Sequence, residues 1–220
     1  MRCGWELPSV RAALTLKAAR QAGAYEAGPP AVVGHSFGGR IAVGLAHDFG
    51  DELAAAVMVD PPFFAPQNQR TPSPPRATKR EHSVRPSLEA IIARFRLAPP
   101  QACDNLFILD FIARRSARKA VDGDGKSGWS LSFDPHFWEK FARLDPVPLV
   151  KAAGTPLALI RGAKSQLFHP EDAAYLLSLI PPGSPYVEIP EAEHHVMIDQ
   201  PLAFVAGLRA LLAAWPPTKA

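Results

Sequence analysis

The residues with the clearest chemical potential lie in the segment Val32–Arg40, which reads Val-Val-Gly-His-Ser-Phe-Gly-Gly-Arg. Its Gly-x-Ser-x-Gly pattern follows an apolar strand-like run and precedes an apolar helix-like run. A serine on so sharp a turn between strand and helix is held in a strained conformation, with its hydroxyl exposed. Gly34 and Gly38 are expected to omit side chains that would collide across the turn. We therefore predict that Ser36 is a nucleophile, with the backbone N–H of Phe37 as a donor to a developing oxyanion.

The elements around Ser36 predict a βαβ unit. Residues 31–33 are a short buried strand, residues 41–49 are apolar nearly all round and favour a buried helix, and residues 54–59 form a second strand. Ahead of them, residues 9–22 fit an amphipathic helix with Ser9 as its N-cap. This order of elements predicts a parallel sheet.

A second parallel segment begins near residue 155. Residues 155–162 predict a strand, residues 171–179 a helix, and residues 186–189 another strand. A loop carrying two adjacent histidines follows, and the last helix begins near Pro201, a favourable residue for a first turn.

The residues between these two segments differ in character. Prolines crowd residues 61–75 and exclude a helix or a central strand there. Ser87 then predicts the N-cap of a helix, residues 102–120 predict a further helix, residues 122–125 a turn, and residues 129–133 a short strand. This stretch is typical of an insertion between two strands of the sheet.

This order of elements resembles the α/β-hydrolase superfamily from about residue 31 to the end. The resemblance implies a partial α/β-hydrolase fold, with a mostly parallel sheet flanked by helices. It divides the chain into a hydrolase core of residues 1–62 and 151–220 and a helical cap of residues 63–150. In relatives such a cap covers the active site, where it would exclude water and supply an apolar pocket.

The resemblance also assigns a histidine. In such proteins the histidine often lies seven residues before a proline that has an acidic residue two positions ahead of it. Asp199 and Pro201 therefore place the matching histidine at His194, and the side chain of His195 should point elsewhere. His194 would act as the general base toward Ser36.

The third member of the triad is a carboxylate, which fixes the imidazole tautomer and stabilises the imidazolium. In many relatives it follows the strand that ends here at Gly162, but residues 163–167 contain no acid. The first acids beyond, Glu171 and Asp172, fit the first turn of a helix. Some relatives carry the acid after the strand that follows the nucleophile helix, and Asp60 stands there. We predict Asp60 as the acid; the alternative is a loop residue held by Pro61.

Composition limits the other classes of function. A length of 220 residues with 47% hydrophobic content fits one domain, or one domain with a large insertion. No run approaches the ~20 apolar residues of a membrane span and no signal peptide is visible, so we expect a cytoplasmic protein without a membrane partner. A net charge of +3 is too weak to indicate nucleic-acid binding. We predict no cofactor and no metal, since adjacent histidines rarely converge on one ion.

The front of the chain departs from the superfamily pattern. Only 33 residues precede Gly34, too few for the early strands and for the loop that supplies the second oxyanion donor in relatives. We expect a sheet without its first strands, whose exposed edge could pair with a second copy of the chain.

We predict a serine hydrolase that acts on a small carboxylic ester or related acyl compound. Hydrolysis of a carbon–carbon bond stays open because it uses the same triad. The alternative is a catalytically impaired, truncated remnant or an interaction module of the same fold, because the loss of one oxyanion donor costs on the order of 10²–10³ in rate.

Overall fold

The computed structural model describes residues 6–24, 28–68, 83–133 and 145–215. The chain divides into two compact units, one of residues 1–70 and 142–220 and one of residues 71–141. The second unit lies inside the expected insertion of residues 63–150, whose boundaries and covering role stay predictions.

The strands in the described residues are β1 (Ala31–His35), β2 (Ala55–Val59), β3 (Ala117–Val121), β4 (Ser127–Leu131), β5 (Leu157–Gly162) and β6 (Tyr186–Ile189). The helices are α1 (Glu6–Gln21), α2 (Phe37–Asp48), α3 (Leu88–Ile92), α4 (Leu106–Arg115), α5 (Val147–Lys151), α6 (Pro170–Leu179), α7 (Val196–Asp199) and α8 (Pro201–Ala214). In the first unit, four strands form a parallel sheet in the order β1-β2-β5-β6. The predicted parallel sheet flanked by helices is thereby confirmed.

The sheet carries a core on each face. Successive residues of β2 point to opposite faces, so Met58 packs in one cluster with residues of α2 and α6, while Val57 packs in another with residues of α7 and α8. Every residue of β2 and β5 is buried. This burial on both faces explains why β2 and residues 157–160 of β5 are continuous apolar runs rather than alternating ones.

Two helices begin earlier than the sequence predicted. Helix α1 begins at Glu6, so the predicted N-cap Ser9 lies within the helix. Helix α2 begins at Phe37, directly after Ser36, because the turn leads straight from strand to helix. The predicted cap of α3 is confirmed, since the Ser87 hydroxyl accepts a hydrogen bond from the backbone N–H of Ala90 at 3.2 Å.

The predicted helix over residues 102–120 is wrong at both ends, since helix α4 begins only at Leu106. Helix α4 ends at Arg115, and the following residues form β3, which pairs antiparallel with β4. The turn between them is stabilised by the Asp122 carboxylate, which accepts the backbone N–H groups of Asp124 and Lys126. Cross-strand pairing therefore overrides the helical pattern, and the second unit contains a hairpin as well as helices.

Three further predictions concern the edge of the sheet, a membrane span and the proline-rich stretch. Strand β1 is at an edge of the described sheet and Val33 is 43% exposed, so pairing with a second copy through this edge stays a prediction. Within the described residues, no helix is long and apolar enough to cross a membrane. Residues 69–75 of the proline-rich stretch lie outside the described residues.

Replacement of Leu159 by alanine tests the central role of β5. Leu159 is 0% exposed and packs between α2 and α6, so we expect Leu159→Ala to lower the free energy of unfolding by about 2–5 kcal/mol. The matched control is Leu202→Ala in α8, where the side chain is 85% exposed and the expected change is below about 0.5 kcal/mol. Urea unfolding measures both values, and equal losses would contradict this assignment of the core.

Candidate active site

The parallel sheet gathers the predicted site residues at one edge. Because all four strands run in the same direction, their carboxyl ends meet there. Ser36 follows β1, Asp60 follows β2, residues 163–168 follow β5, and the loop of residues 190–195 follows β6. The site is therefore built from four consecutive strand ends within the first unit.

Ser36 lies on a strained turn. Its φ is 53° and its ψ is −122°, a conformation that a residue with a Cβ rarely adopts. The backbone holds it there, since the Ser36 N–H donates to the Val59 carbonyl at 2.8 Å and the Ser36 carbonyl accepts from Gly39 at 2.9 Å. Phe37 begins α2, so its backbone N–H lies at the N-terminus of that helix.

The two glycines of the motif play different parts. A Cβ added at Gly34 would lie 2.0 Å from the carbonyl oxygen of Gly38, so only glycine fits there without moving the turn. A Cβ added at Gly38 would meet nothing within 4 Å among the described residues beyond its own helical turn. The expectation that Gly38 also avoids a collision is therefore wrong.

His194 connects Ser36 with Asp60. Its Nε2 atom lies 2.9 Å from Ser36 Oγ, and its Nδ1 atom lies 2.8 Å from Asp60 Oδ2. An ionised carboxylate only accepts hydrogen bonds, so the Nδ1 atom carries the proton and Nε2 is left to accept the Ser36 hydroxyl. The structure thus brings together the three side chains predicted for the triad.

The Asp60 carboxylate is 0% exposed and accepts three hydrogen bonds. The backbone N–H of Gly162 donates to Oδ1 at 3.0 Å, while the Ser165 hydroxyl at 2.6 Å and His194 Nδ1 at 2.8 Å both donate to Oδ2. Asp60 has a φ of 44°, and its N–H donates to Ile160 O at 2.8 Å. The carboxylate thus faces the imidazole of His194.

Ser165 is a site residue that sequence reasoning missed. It stands in the turn after β5, where many relatives carry the acid, so the family pattern there predicts a carboxylate and not a hydroxyl. A short hydroxyl side chain gave no signal of its own, because serine is common in turns.

The turn of residues 163–168 is fastened by Arg161. This guanidinium, 2% exposed, donates from Nε to Phe168 O at 2.9 Å, from Nη2 to Ala163 O at 3.3 Å, and from Nη1 to the Glu188 carboxylate at 2.6 Å. The Lys164 N–H also donates to Ala192 O at 2.8 Å. The turn is therefore bound both to its own strand and to the histidine loop.

Glu171 and Asp172 lie in the first turn of α6, as predicted, and Asp172 has a structural role there. The Asp172 carboxylate accepts the N–H of His169 at 3.2 Å, which caps the helix. It also accepts the N–H of Ala65 at 2.7 Å and Nδ2 of Asn68 at 3.0 Å. Asp172 therefore ties the segment after Asp60 to α6.

The histidine loop is held by the acid near the proline. The Glu193 N–H donates to Asp199 Oδ2 at 2.8 Å, which secures the residue next to His194. The His195 ring lies 4.9 Å from the His194 ring, but the hydrogen bonds to Ser36 and Asp60 belong to His194. Among the described residues, no group of three or more His, Cys, Asp and Glu is placed to hold a metal ion.

The His35 side chain forms a hydrogen bond with the backbone of the histidine loop. Its Nε2 atom lies 2.8 Å from the backbone carbonyl of His194, so Nε2 donates and carries the proton. Burial lowers the pKa of His35 from 6.5 to about 4, against the opposing effect of this hydrogen bond. His35 is therefore neutral near pH 7 and helps to hold His194 through the main chain.

Comparison with known proteins gives a family and a set of similar folds. The chain matches the alpha/beta hydrolase family over residues 3–208. The structure of E-2-(acetamidomethylene)succinate hydrolase is similar, with a TM-score of 0.68 and 20% identity, over 96% of this chain and 74% of that one. An esterase from Mycobacterium tuberculosis has a TM-score of 0.60 and 22% identity, over 94% of this chain and 67% of that one. A thioesterase domain from the curacin biosynthetic pathway has a TM-score of 0.58 and 19% identity, over 82% and 66%. No curated protein matches the chain in sequence.

The different surroundings of the two motif glycines give a matched pair of variants. Gly34→Ala places a methyl group against the backbone of Gly38, so we expect a loss of about 3 kcal/mol in unfolding free energy. Gly38→Ala, in open space within α2, should change it by less than about 1 kcal/mol. Thermal and urea unfolding measure the stability of both variants. An unchanged stability of Gly34→Ala would show that the turn can hold a methyl group at this position.

The lowered pKa of His35 predicts a pH-dependent stability. Below pH 6.5 the unfolded chain takes up the His35 proton before the folded protein does, so the contribution is complete above about pH 6.5 and is lost between pH 6.5 and 4. Between pH 7.5 and 4.5 the wild type should lose about 2–3 kcal/mol more unfolding free energy than His35→Gln, which has no titrating ring. Urea unfolding at both pH values measures the difference, and parallel losses would refute it.

Proposed function

Because the chain belongs to the alpha/beta hydrolase family, we propose that it is a serine hydrolase acting on a small carboxylic ester or a related acyl compound. The observation that carries this proposal is the continuous hydrogen-bond path from Ser36 Oγ through His194 to Asp60, with steps of 2.9 and 2.8 Å. A hydroxyl, a base and an orienting carboxylate in this sequence of contacts suit nucleophilic acyl transfer.

The first half of the proposed reaction forms an acyl-enzyme. Ser36 Oγ attacks the substrate carbonyl carbon while His194 Nε2 takes the hydroxyl proton, and the Asp60 carboxylate stabilises the resulting imidazolium. The Phe37 N–H, at the N-terminus of α2, would donate to the oxyanion. When the tetrahedral intermediate collapses, His194 returns its proton to the leaving oxygen, and the alcohol departs.

The second half releases the acid and restores Ser36. His194 removes a proton from a water molecule, and the resulting hydroxide attacks the acyl carbon bound to Ser36. Collapse of this second intermediate breaks the bond to Ser36 Oγ, which recovers its proton from His194. Neither half requires a metal ion or a redox cofactor.

The strained turn supports the nucleophilic role of Ser36. Its positive φ would project the hydroxyl beyond the carboxyl edge of the sheet and toward His194 Nε2. The backbone hydrogen bonds that Ser36 donates to Val59 and accepts from Gly39 hold this direction, so the attacking atom is placed before substrate arrives.

A fluorophosphonate probe tests the proposed roles directly. We expect the wild type to be labelled, Ser36→Ala to lose labelling entirely, and His194→Ala to lose on the order of 10⁴ in labelling rate. Asp60→Asn should cost on the order of 10³, because its amide stabilises the wrong imidazole tautomer. The rate of p-nitrophenyl acetate hydrolysis should show the same ranking, with the largest loss in Ser36→Ala and the smallest in Asp60→Asn.

The control is Ser178→Ala, which removes an exposed serine hydroxyl from α6 and should label like the wild type. Labelling that persists in Ser36→Ala would place the nucleophile elsewhere. A folded wild type that neither reacts with the probe nor turns over the ester would overturn the proposal, and would favour a catalytically impaired protein that uses the fold for interaction.

A further inference from the structure

We propose that Ser165 is a positioning residue that aims the Asp60 carboxylate at His194 and moderates the charge on it. The inference rests on the proposed serine-hydrolase function. Ser165 Oγ lies 2.6 Å from Asp60 Oδ2, and this is the oxygen that lies 2.8 Å from His194 Nδ1. The hydroxyl and the imidazole therefore share one acceptor atom.

The backbone of the turn fixes the direction of the Ser165 proton. Ser165 Oγ accepts the N–H of Phe168 at 3.2 Å and, more weakly, the N–H of Leu167 at 3.4 Å. These contacts occupy the lone pairs of the hydroxyl, and the carboxylate oxygen beside it can only accept. The hydroxyl proton therefore points at Asp60 Oδ2.

Ser165 completes a clamp on both oxygens of the carboxylate. Gly162 holds Oδ1 through its backbone N–H at 3.0 Å, while Ser165 holds Oδ2. Both donors come from the end of β5 and its turn, which Arg161 fastens. The carboxylate plane is thus set from the end of β5 and its turn, in addition to the contact with His194.

The short contact also has an electrostatic consequence. A hydroxyl that donates to a carboxylate at 2.6 Å makes a charge-assisted bond and stabilises the ionised form. Some of the negative charge on Oδ2 is then neutralised by Ser165, so less of it acts on the His194 imidazolium. Without the hydroxyl, Asp60 should attract a proton onto His194 more strongly but should hold its own orientation less well.

A purely structural role for Ser165 makes a different prediction. Its acceptance of the Phe168 N–H alone would stabilise the turn, and its loss would then lower stability without altering the protonation behaviour of the site. The pH profile separates the two roles, because only a group that acts on the Asp60 charge can move it.

The test compares Ser165→Ala with two controls. In Ser165→Ala we expect kcat to fall about tenfold, KM to stay within about twofold, and the acidic limb of kcat/KM to move up by about half a pH unit. Leu53→Ala leaves the turn and its hydroxyl in place and removes buried side-chain atoms from the cluster with Ala13 and Leu45, so it should lower the melting temperature without moving that limb. Ser178→Ala should change neither.

A readout that does not need turnover keeps this inference separate from the proposed function. The proton on His194 Nδ1 gives an NMR resonance, identified by its loss in His194→Ala, that reports the strength of the bond to Asp60. It should move downfield in Ser165→Ala and stay in place in Leu53→Ala. An inactive wild type would defeat the proposed function and would leave this measurement intact.

If Ser165→Ala does not fold, Ser165→Cys replaces it, since a thiol has a similar shape and is a much weaker donor. It should move the resonance and the acidic limb in the same directions. If the variant that folds leaves both at their wild-type positions, Ser165 only supports the turn and the inference is overturned.

Discussion

The structure of the site depends on the burial of one charge. The Asp60 carboxylate is fully removed from solvent, and an isolated buried carboxylate would be strongly destabilising. Donors from three places compensate: the end of β5, the turn after it, and the histidine loop. Each of these segments must therefore be in place for the buried carboxylate to keep its donors. The His194 imidazole that donates to Asp60 also contacts the Ser36 hydroxyl, so the same ring serves the buried charge and the candidate nucleophile.

The turn after β5 shows how a site can keep its geometry when a residue type changes. Many relatives carry an acid there, whereas this sequence has no acid in residues 163–167 and has Ser165 in the turn. The carboxylate arrives from the neighbouring strand, β2, and the hydroxyl contacts it from the usual position. The Ser165 hydroxyl and the Asp60 carboxylate thus follow two adjacent strands, and the carboxylate still lies within hydrogen-bond distance of the imidazole. The arrangement is possible because β2 and β5 are paired in register, with Val59 beside Ile160.

Sequence reasoning succeeded where a pattern is set by local rules. Apolar runs, turn residues and strand-to-helix spacing predicted the parallel sheet, and the motif around Ser36 predicted the strained turn. It failed where tertiary contacts decide: Arg118 and Lys119 pair in a strand although their segment has a helical pattern. The contribution of Ser165 depends on which side chain meets it across 105 positions of sequence. His35 was missed because its neighbour Ser36 accounts for the motif, and only the fold shows that its ring meets the His194 carbonyl.

Among the described residues other than glycine, positive φ angles occur at Ser36, Asp60 and Glu191, and all three follow strands at the same edge of the sheet. Each such backbone costs on the order of 1 kcal/mol relative to a relaxed one. A sequence that relaxed these three positions would fold more tightly and would lose the directions in which Ser36 and Asp60 now point. At this edge the backbone directions that the site needs lower the folding stability. The fully buried strands β2 and β5 behind it offset that loss. Substitutions that raise thermal stability and keep the site intact are therefore expected outside these three positions.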